Sequence, residues 1–265
     1  MDIFSLTLPG KIDPLSNITK GRSKMKWALI LGSSGDIGRQ IARDLAQQGW
    51  SLYLHYAHQQ ERIEKLIGEF QSKFPRQDFI PIQSDFMAAD CVDRIVNSIF
   101  GVDAVIFAQG ITHFKFLHDF TENELDEILR MQLKVPMMIL QRLEDKLARA
   151  QAGRVVFISS VYGKSGSAME TPYSAVKGAI NTFVKAYSKE VASMEITVNA
   201  VAPGAVNTQM NQMFDAETLA TVRDEIPVGH LADPAEISYW VRVLLAPEAG
   251  YMTGQTLYVT GGWLE

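Results

Sequence analysis

The chain has 265 residues, 47% of them hydrophobic and 21% charged, which suits one large α/β domain with a core on both faces of a sheet and excludes a disordered chain. A formal net charge of -5 and a pI near 5.6 exclude the clustered cations of a general nucleic-acid binder. Cys91 is the single cysteine and the five histidines (His55, His58, His113, His118, His230) never fall at a ligand spacing, so neither a disulfide nor a metal site is expected.

Residues 1–24 carry Pro9, Gly10 and Pro14 with no sustained period and predict a flexible N-terminal extension; an arm packed on the domain or on a partner subunit is the alternative. They lack the basic-then-apolar order of an export signal, and no apolar run approaches the ~18 residues of a membrane span. A cytoplasmic protein is expected. Over 25–265, read as one domain, short β-branched or apolar runs at 26–31, 52–56, 79–82, 104–108, 155–159, 197–201 and 256–259 predict seven strands. Amphipathic stretches beginning near Ile37, Gln59, Ala89, Glu122, Tyr173, Asp215 and Pro234 predict the helices between them. This alternation predicts a single doubly wound, Rossmann-type α/β domain: a seven-stranded parallel sheet with helices on both faces and ligands at the carboxyl ends of the strands.

Directly after the first strand, Gly32-Ser33-Ser34-Gly35-Asp36-Ile37-Gly38 runs into a helix. Glycines there let backbone approach a pyrophosphate, which the free N–H groups and dipole of the helix start stabilise. The second strand ends at His55-Tyr56-Ala57, where an Asp or Glu would grip the ribose 2′-hydroxyl of NAD; without that acid a 2′-phosphate is not repelled, and NADP(H) is favoured. Asp85, after the third strand, is placed to accept from the adenine amine.

Ser160 and the run Tyr173-Ser174-Ala175-Val176-Lys177 form the strongest constellation. Residues four apart share a helix face, so Tyr173 and Lys177 point into one cleft. A free phenol has a pKa of ~10, and a cation beside it favours the anion, so Lys177 is expected to lower Tyr173. Ser160, at the end of the fifth strand, can hold a substrate oxygen near the phenol.

In this order of motifs, with Asn199-Ala200-Val201-Ala202-Pro203-Gly204 and Tyr251-Met252-Thr253-Gly254-Gln255, the chain resembles the short-chain dehydrogenase/reductase family over 26–265. The resemblance implies catalytic Ser160, Tyr173 and Lys177, with Lys177 also on the nicotinamide ribose. It places Gly32, Ser34, Asp36, Ile37, Gly38, Tyr56, Asp85, Ala108, Gly110, Tyr173, Lys177, Pro203, Gly204, Val206 and Thr208 against NADP(H), and it implies a homotetramer. Three departures stand out: Asp36 replaces a glycine and Leu31 a threonine; the family's Asn-Asn-Ala-Gly segment is here Phe107-Ala108-Gln109-Gly110, without the asparagine that braces the central strands; and Gln132 falls on the family's catalytic asparagine, which holds a water leading protons to the lysine.

Within the family the chain is similar to 3-oxoacyl-acyl-carrier-protein reductases, in Ile226-Pro227-Val228-Gly229-His230-Leu231. It is more similar to bacterial elongation factor P 5-aminopentanone reductases, in Leu52-Tyr53-Leu54-His55-Tyr56, Ala202 to Val206 and Gly261-Gly262-Trp263. The substrate is therefore expected to be a ketone on a modified lysine of elongation factor P, with a ketone on acyl carrier protein as the alternative. His113, Phe114, Tyr162 and Glu170 are expected at the substrate pocket, where Glu170 would attract an ammonium. Arg142, Lys146, Arg149 and Arg154 form the basic group that could dock an acidic carrier protein. A non-catalytic NADP-binding regulatory protein is the reading from a different class, suggested by Gln132; a nucleotide-sugar epimerase would need a larger substrate domain.

Overall fold

The structure is a computed structural model that describes residues 25–150, 152–210 and 215–264. The extension expected at 1–24 lies outside the described residues. Apolar, largely β-branched or aromatic runs form β1 (Trp27–Leu31), β2 (Ser51–Tyr56), β3 (Phe79–Gln83), β4 (Ala104–Phe107), β5 (Arg154–Ile158), β6 (Thr197–Pro203) and β7 (Thr256–Val259). They pair in parallel in the order β3-β2-β1-β4-β5-β6-β7. That is the doubly wound arrangement expected, with its switch point between β1 and β4.

The helices are α1 (Asp36–Gln47), α2 (Gln60–Lys73), α3 (Cys91–Asn97), α4 (Glu122–Leu129), α5 (Val135–Ala148), α6 (Tyr162–Ser165), α7 (Thr171–Val191), α8 (Ala216–Glu225) and α9 (Pro234–Leu245). Ile41 and Leu45 of α1, Leu66 and Phe70 of α2 and Val241 of α9 bury their apolar stripes on one sheet face. Ile95 of α3, Ile139 and Leu143 of α5 and Val184 of α7 cover the other. Both faces of the sheet are therefore withdrawn from water, which is why the strands read as continuous apolar runs. Among the described residues no helix is long and apolar enough to cross a membrane.

Register brings the chemistry to one edge. Leu31 pairs with Phe107, Phe107 with Phe157, and Phe157 with Ala200, so the segments leaving β1, β4, β5 and β6 emerge side by side at the carboxyl ends. Two local features differ from expectation. The long fourth helix is interrupted by a wide π-turn at Arg130–Lys134, and the four-residue α6 stands between β5 and α7. Pro136 explains the first: lacking an N–H, it cannot serve the carbonyls of Met131 or Gln132, and the ladder widens, with Val135 donating to Arg130.

α1 sits directly on the glycine turn. A Cβ on Gly38 would lie 2.3 Å from the Gly32 carbonyl oxygen. Gly38→Ala should therefore lower stability by about 2–3 kcal/mol, read as a lower urea midpoint, because backbone must move to relieve the overlap. An unchanged midpoint would show that α1 is free to back away from the turn.

Candidate active site

A cleft of about 780 Å³ opens along the carboxyl edge of the sheet, from the glycine turn at one end to Trp263 at the other. Gly32 takes the left-handed conformation (φ 75°), and a Cβ there would lie 2.6 Å from the Gln109 backbone nitrogen, so only glycine fits. No side chain caps α1 at Gly35, which leaves the first amides of the helix to an anion. Ser34, Asp36, Ile37, Tyr56, Asp85, Ala108, Gly110, Pro203, Gly204, Val206 and Thr208 all line the cleft, as Gly32 does. Gly38 does not; it is buried behind the turn, where it permits close packing. The Asp36 carboxylate is engaged, by Arg39 at 2.7 Å and by the Gln209 amide at 2.7 Å.

Sequence reasoning missed His55, which sets this turn. Its Nδ1 accepts from the Gly32 amide (3.2 Å), so Nε2 carries the proton and donates to the Ser84 carbonyl (2.8 Å). Burial lowers its pKa to about 4 and holds it neutral. It also missed the cation near this end: Arg62 lines the cleft just beyond β2, next to His58, and donates to Gln209 at 2.9 Å. Arg62, in the first turn of the helix that follows β2, was the signal available.

At the centre of the cleft the buried Ser160 hydroxyl accepts from the Tyr162 amide (3.2 Å) and is hydrogen-bonded to the Tyr173 phenol. The Tyr173 ring is partly open to the cleft, yet desolvation of its hydroxyl end pushes the phenol well above its ordinary value; the Ser160 hydrogen bond opposes this. Lys177 is 3% exposed and its Nζ donates to the Ile158 carbonyl at 2.9 Å, 5.2 Å from the centre of the Tyr173 ring. Burial brings the Lys177 amine down to about 7. The expected depression of Tyr173 by Lys177 is therefore corrected: desolvation dominates both groups, raising the phenol and lowering the amine.

Gln132 lies in the π-turn, 1% exposed and behind Gly110 rather than on the cleft wall. Its Nε2 donates to the Ile111 carbonyl (2.8 Å), while its Oε1 is buried without a partner among the described residues. A Cβ on Gly110 would stand 3.3 Å from that oxygen and 3.8 Å from Lys177 Nζ, so the orphaned acceptor faces the neighbourhood of the amine. Gln109 Nε2 donates to the Met131 carbonyl (3.3 Å), one of the two that Pro136 cannot serve.

Phe114, Tyr162 and Glu170 line the cleft. His113 does not; its ring turns to Glu127, 3.6 Å away. The basic group proposed for carrier docking is also corrected. Arg142 pairs with Asp93 (2.9 Å), Lys146 donates to the Val96 and Ile99 carbonyls, and Arg154 is buried at the start of β5. This group lies at the amino ends of the strands, away from the cleft. Three lining residues, Glu225, Val222 and Trp263, come from α8 and the chain's end, where no local pattern announced them.

Residues 32–264 match the family model described as enoyl-(acyl carrier protein) reductase. An uncharacterized oxidoreductase of Bacillus subtilis, YmfI, is 38% identical over 239 residues, covering 90% of this chain and 98% of that protein. The 3-oxoacyl-(acyl-carrier-protein) reductase FabG of Staphylococcus aureus is 32% identical over 241 residues, covering 89% and 97%. Among solved structures, YwfH, an NADPH-dependent reductase involved in bacilysin biosynthesis, superposes with a TM-score of 0.85 at 21% identity over 91% of this chain and 99% of that one. At that identity the likeness is one of fold. The two sequence relatives and the family match carry the assignment further: this chain belongs to the short-chain dehydrogenase/reductase family.

Proposed function

We propose that this oxidoreductase is an NADPH-dependent ketone reductase, on the observation that Ser160, Tyr173 and Lys177 converge in the same cleft as the uncapped amino end of α1. The cleft fits the cofactor: the glycine turn and free amides receive a pyrophosphate, no acid ends β2, and Arg62 supplies positive charge for a 2′-phosphate. When bound, NADPH supplies a hydride to the carbonyl carbon. Ser160 donates a hydrogen bond to the carbonyl oxygen, and Tyr173, kept protonated by burial, passes its proton to that oxygen as charge develops. The ammonium of Lys177 stabilises the phenolate left behind. The buried Oε1 of Gln132, without a partner among the described residues, offers an acceptor that can hold a water on the path by which the phenolate beside Lys177 regains its proton. Related structures include the angucycline C-6 ketoreductase LanV with bound NADP.

As substrate we favour the ketone of a 5-aminopentanone-modified lysine on elongation factor P. Support comes from Glu170, 8% exposed on the cleft wall beside Tyr173 and held only by the hydroxyls of Thr112 (2.8 Å) and Ser167 (3.3 Å). A homotetramer is part of the same reading, supported by exposed Tyr239, Trp240 and Tyr251 on and after α9.

NADPH oxidation should be faster with aminopentanone-modified elongation factor P than with an acetoacetyl-carrier thioester, and Tyr173→Phe should slow it about 10²–10⁴-fold. The reverse preference would sink the substrate assignment, and tight NADPH binding without turnover of either would favour a regulatory protein. Arg62→Ala should raise the Michaelis constant for NADPH about tenfold and leave that for NADH within about twofold. Lys177 titrates near 7 in the folded chain against 10.5 ordinarily, so the unfolded chain holds more protons between those values and stability rises with pH across that window. Lys177→Met should accordingly stabilise the protein by about 1–4 kcal/mol at about pH 6, with the gain shrinking toward about pH 10, while reduction is lost; a pH-independent gain would contradict the buried ammonium.

A further inference from the structure

We infer that Glu225 and Glu170 form a two-carboxylate subsite for an ammonium group that the substrate carries a few bonds from its carbonyl, with Tyr162 between them and Trp263 as the apolar wall. This rests on the ketone-reductase reading of the site.

The first support is the way each carboxylate is held. Glu225 accepts from the Trp263 indole Nε1 at 3.2 Å, and Glu170 from two hydroxyls. All three donors are neutral, so they orient the carboxylates without cancelling their charge. Among the described residues neither is in an ion pair, whereas a neighbouring acid is: Lys115 holds Glu124 at 2.6 Å and brings it down to about 2. Two oriented, uncompensated carboxylates on one cleft wall select for a cation.

Both carboxylates border Tyr162: Glu225 is bonded to the Trp263 indole that packs on the Tyr162 ring, and Glu170 to the hydroxyl of Ser167, which also bonds the Tyr162 phenol. Burial raises that phenol, and the two carboxylates add to the rise. The Tyr162 and Trp263 rings meet edge to face at 5.8 Å, giving the alkyl stem an aromatic surface and an ammonium a π-face.

Two backbone features serve this wall. Met169 takes the left-handed conformation (φ 63°) that a side chain disfavours, its carbonyl accepting from the Lys115 amide, and this turn presents Glu170 at the head of α7. Gly261 (φ 65°) and Gly262 (φ 84°) fold the chain back so that Trp263 is 7% exposed; a Cβ on Gly261 would lie 2.6 Å from Val228. The other end of the cleft differs in carrying a cation, Arg62, together with Asp36 and Asp85.

The test compares three ketones of equal length ending in an ammonium, a hydroxyl or a carboxylate, each with saturating NADPH. The wild-type enzyme should prefer them in that order by kcat/KM, and the ammonium-to-hydroxyl ratio should fall as salt is raised. Glu225→Gln should lower that ratio about tenfold, as loss of one charge-assisted hydrogen bond predicts, and Glu225→Lys should shift preference toward the carboxylate ketone. Wild-type enzyme that reduces the hydroxyl ketone as well as the ammonium ketone overturns the subsite without touching the reductase reading, and so does an unchanged ratio in both variants. No NADPH oxidation with any of the three overturns the reductase reading and the subsite with it. The salt series needs no variant, so misfolding of a substituted chain leaves the outcome decided.

Discussion

The hydrogen bond from Lys177 Nζ to the Ile158 carbonyl fixes the relation between the sheet and the chemistry. It ties the middle of α7's first turns to the last residue of β5, and Ser159 adds a second tie by donating to Asn181 (2.7 Å) one turn further along. α6 can cross here only because Gly163 is bare; a Cβ would lie 2.7 Å from the Lys177 backbone carbon. Ser160 and Tyr173 are thereby brought together from opposite sides of one junction. The amine is spent on a carbonyl rather than a carboxylate, so nothing neutralises it, and its charge is retained at a cost that the surrounding core must bear.

The cleft built on that junction changes character along its length. One end offers free amides and Arg62, the middle holds Ser160, Tyr173 and Lys177, and the far end is aromatic and acidic. On the proposed reading, a single pocket so divided orients two reactants head to head. Orientation of this kind supplies much of the acceleration available to a hydride transfer, since the partners need only meet at the middle.

The sheet was legible because two-sided burial leaves an unmistakable mark: all seven strands lie within two residues of their expected bounds, and β7 matches at both ends. Tyr173 and Lys177 were legible because their spacing encodes a shared face, and Ser160 because it follows the carboxyl end of a strand. The turn of α4 into α5 was not, since a π-turn keeps a helical pattern while shifting its phase; Pro136 was the only trace. His55 escaped because a buried histidine between two strands looks like core, and its role depends on which backbone groups face it across β1 and β3. Glu225 and Trp263 escaped for a topological reason. They reach the cleft from α8 and from beyond β7, far in sequence from the residues they serve.

The two glutamines of the π-turn region hold each other's segments. Gln109 donates to Met131 across the gap, and Gln132 donates back to Ile111. Losing either leaves a carbonyl of the opposite segment without its donor, so the effects of substitutions at the two positions are not additive. Together with Pro136, which leaves the Met131 carbonyl without a helical donor, they act as one structural unit, so a change at any one of the three is felt at the other two.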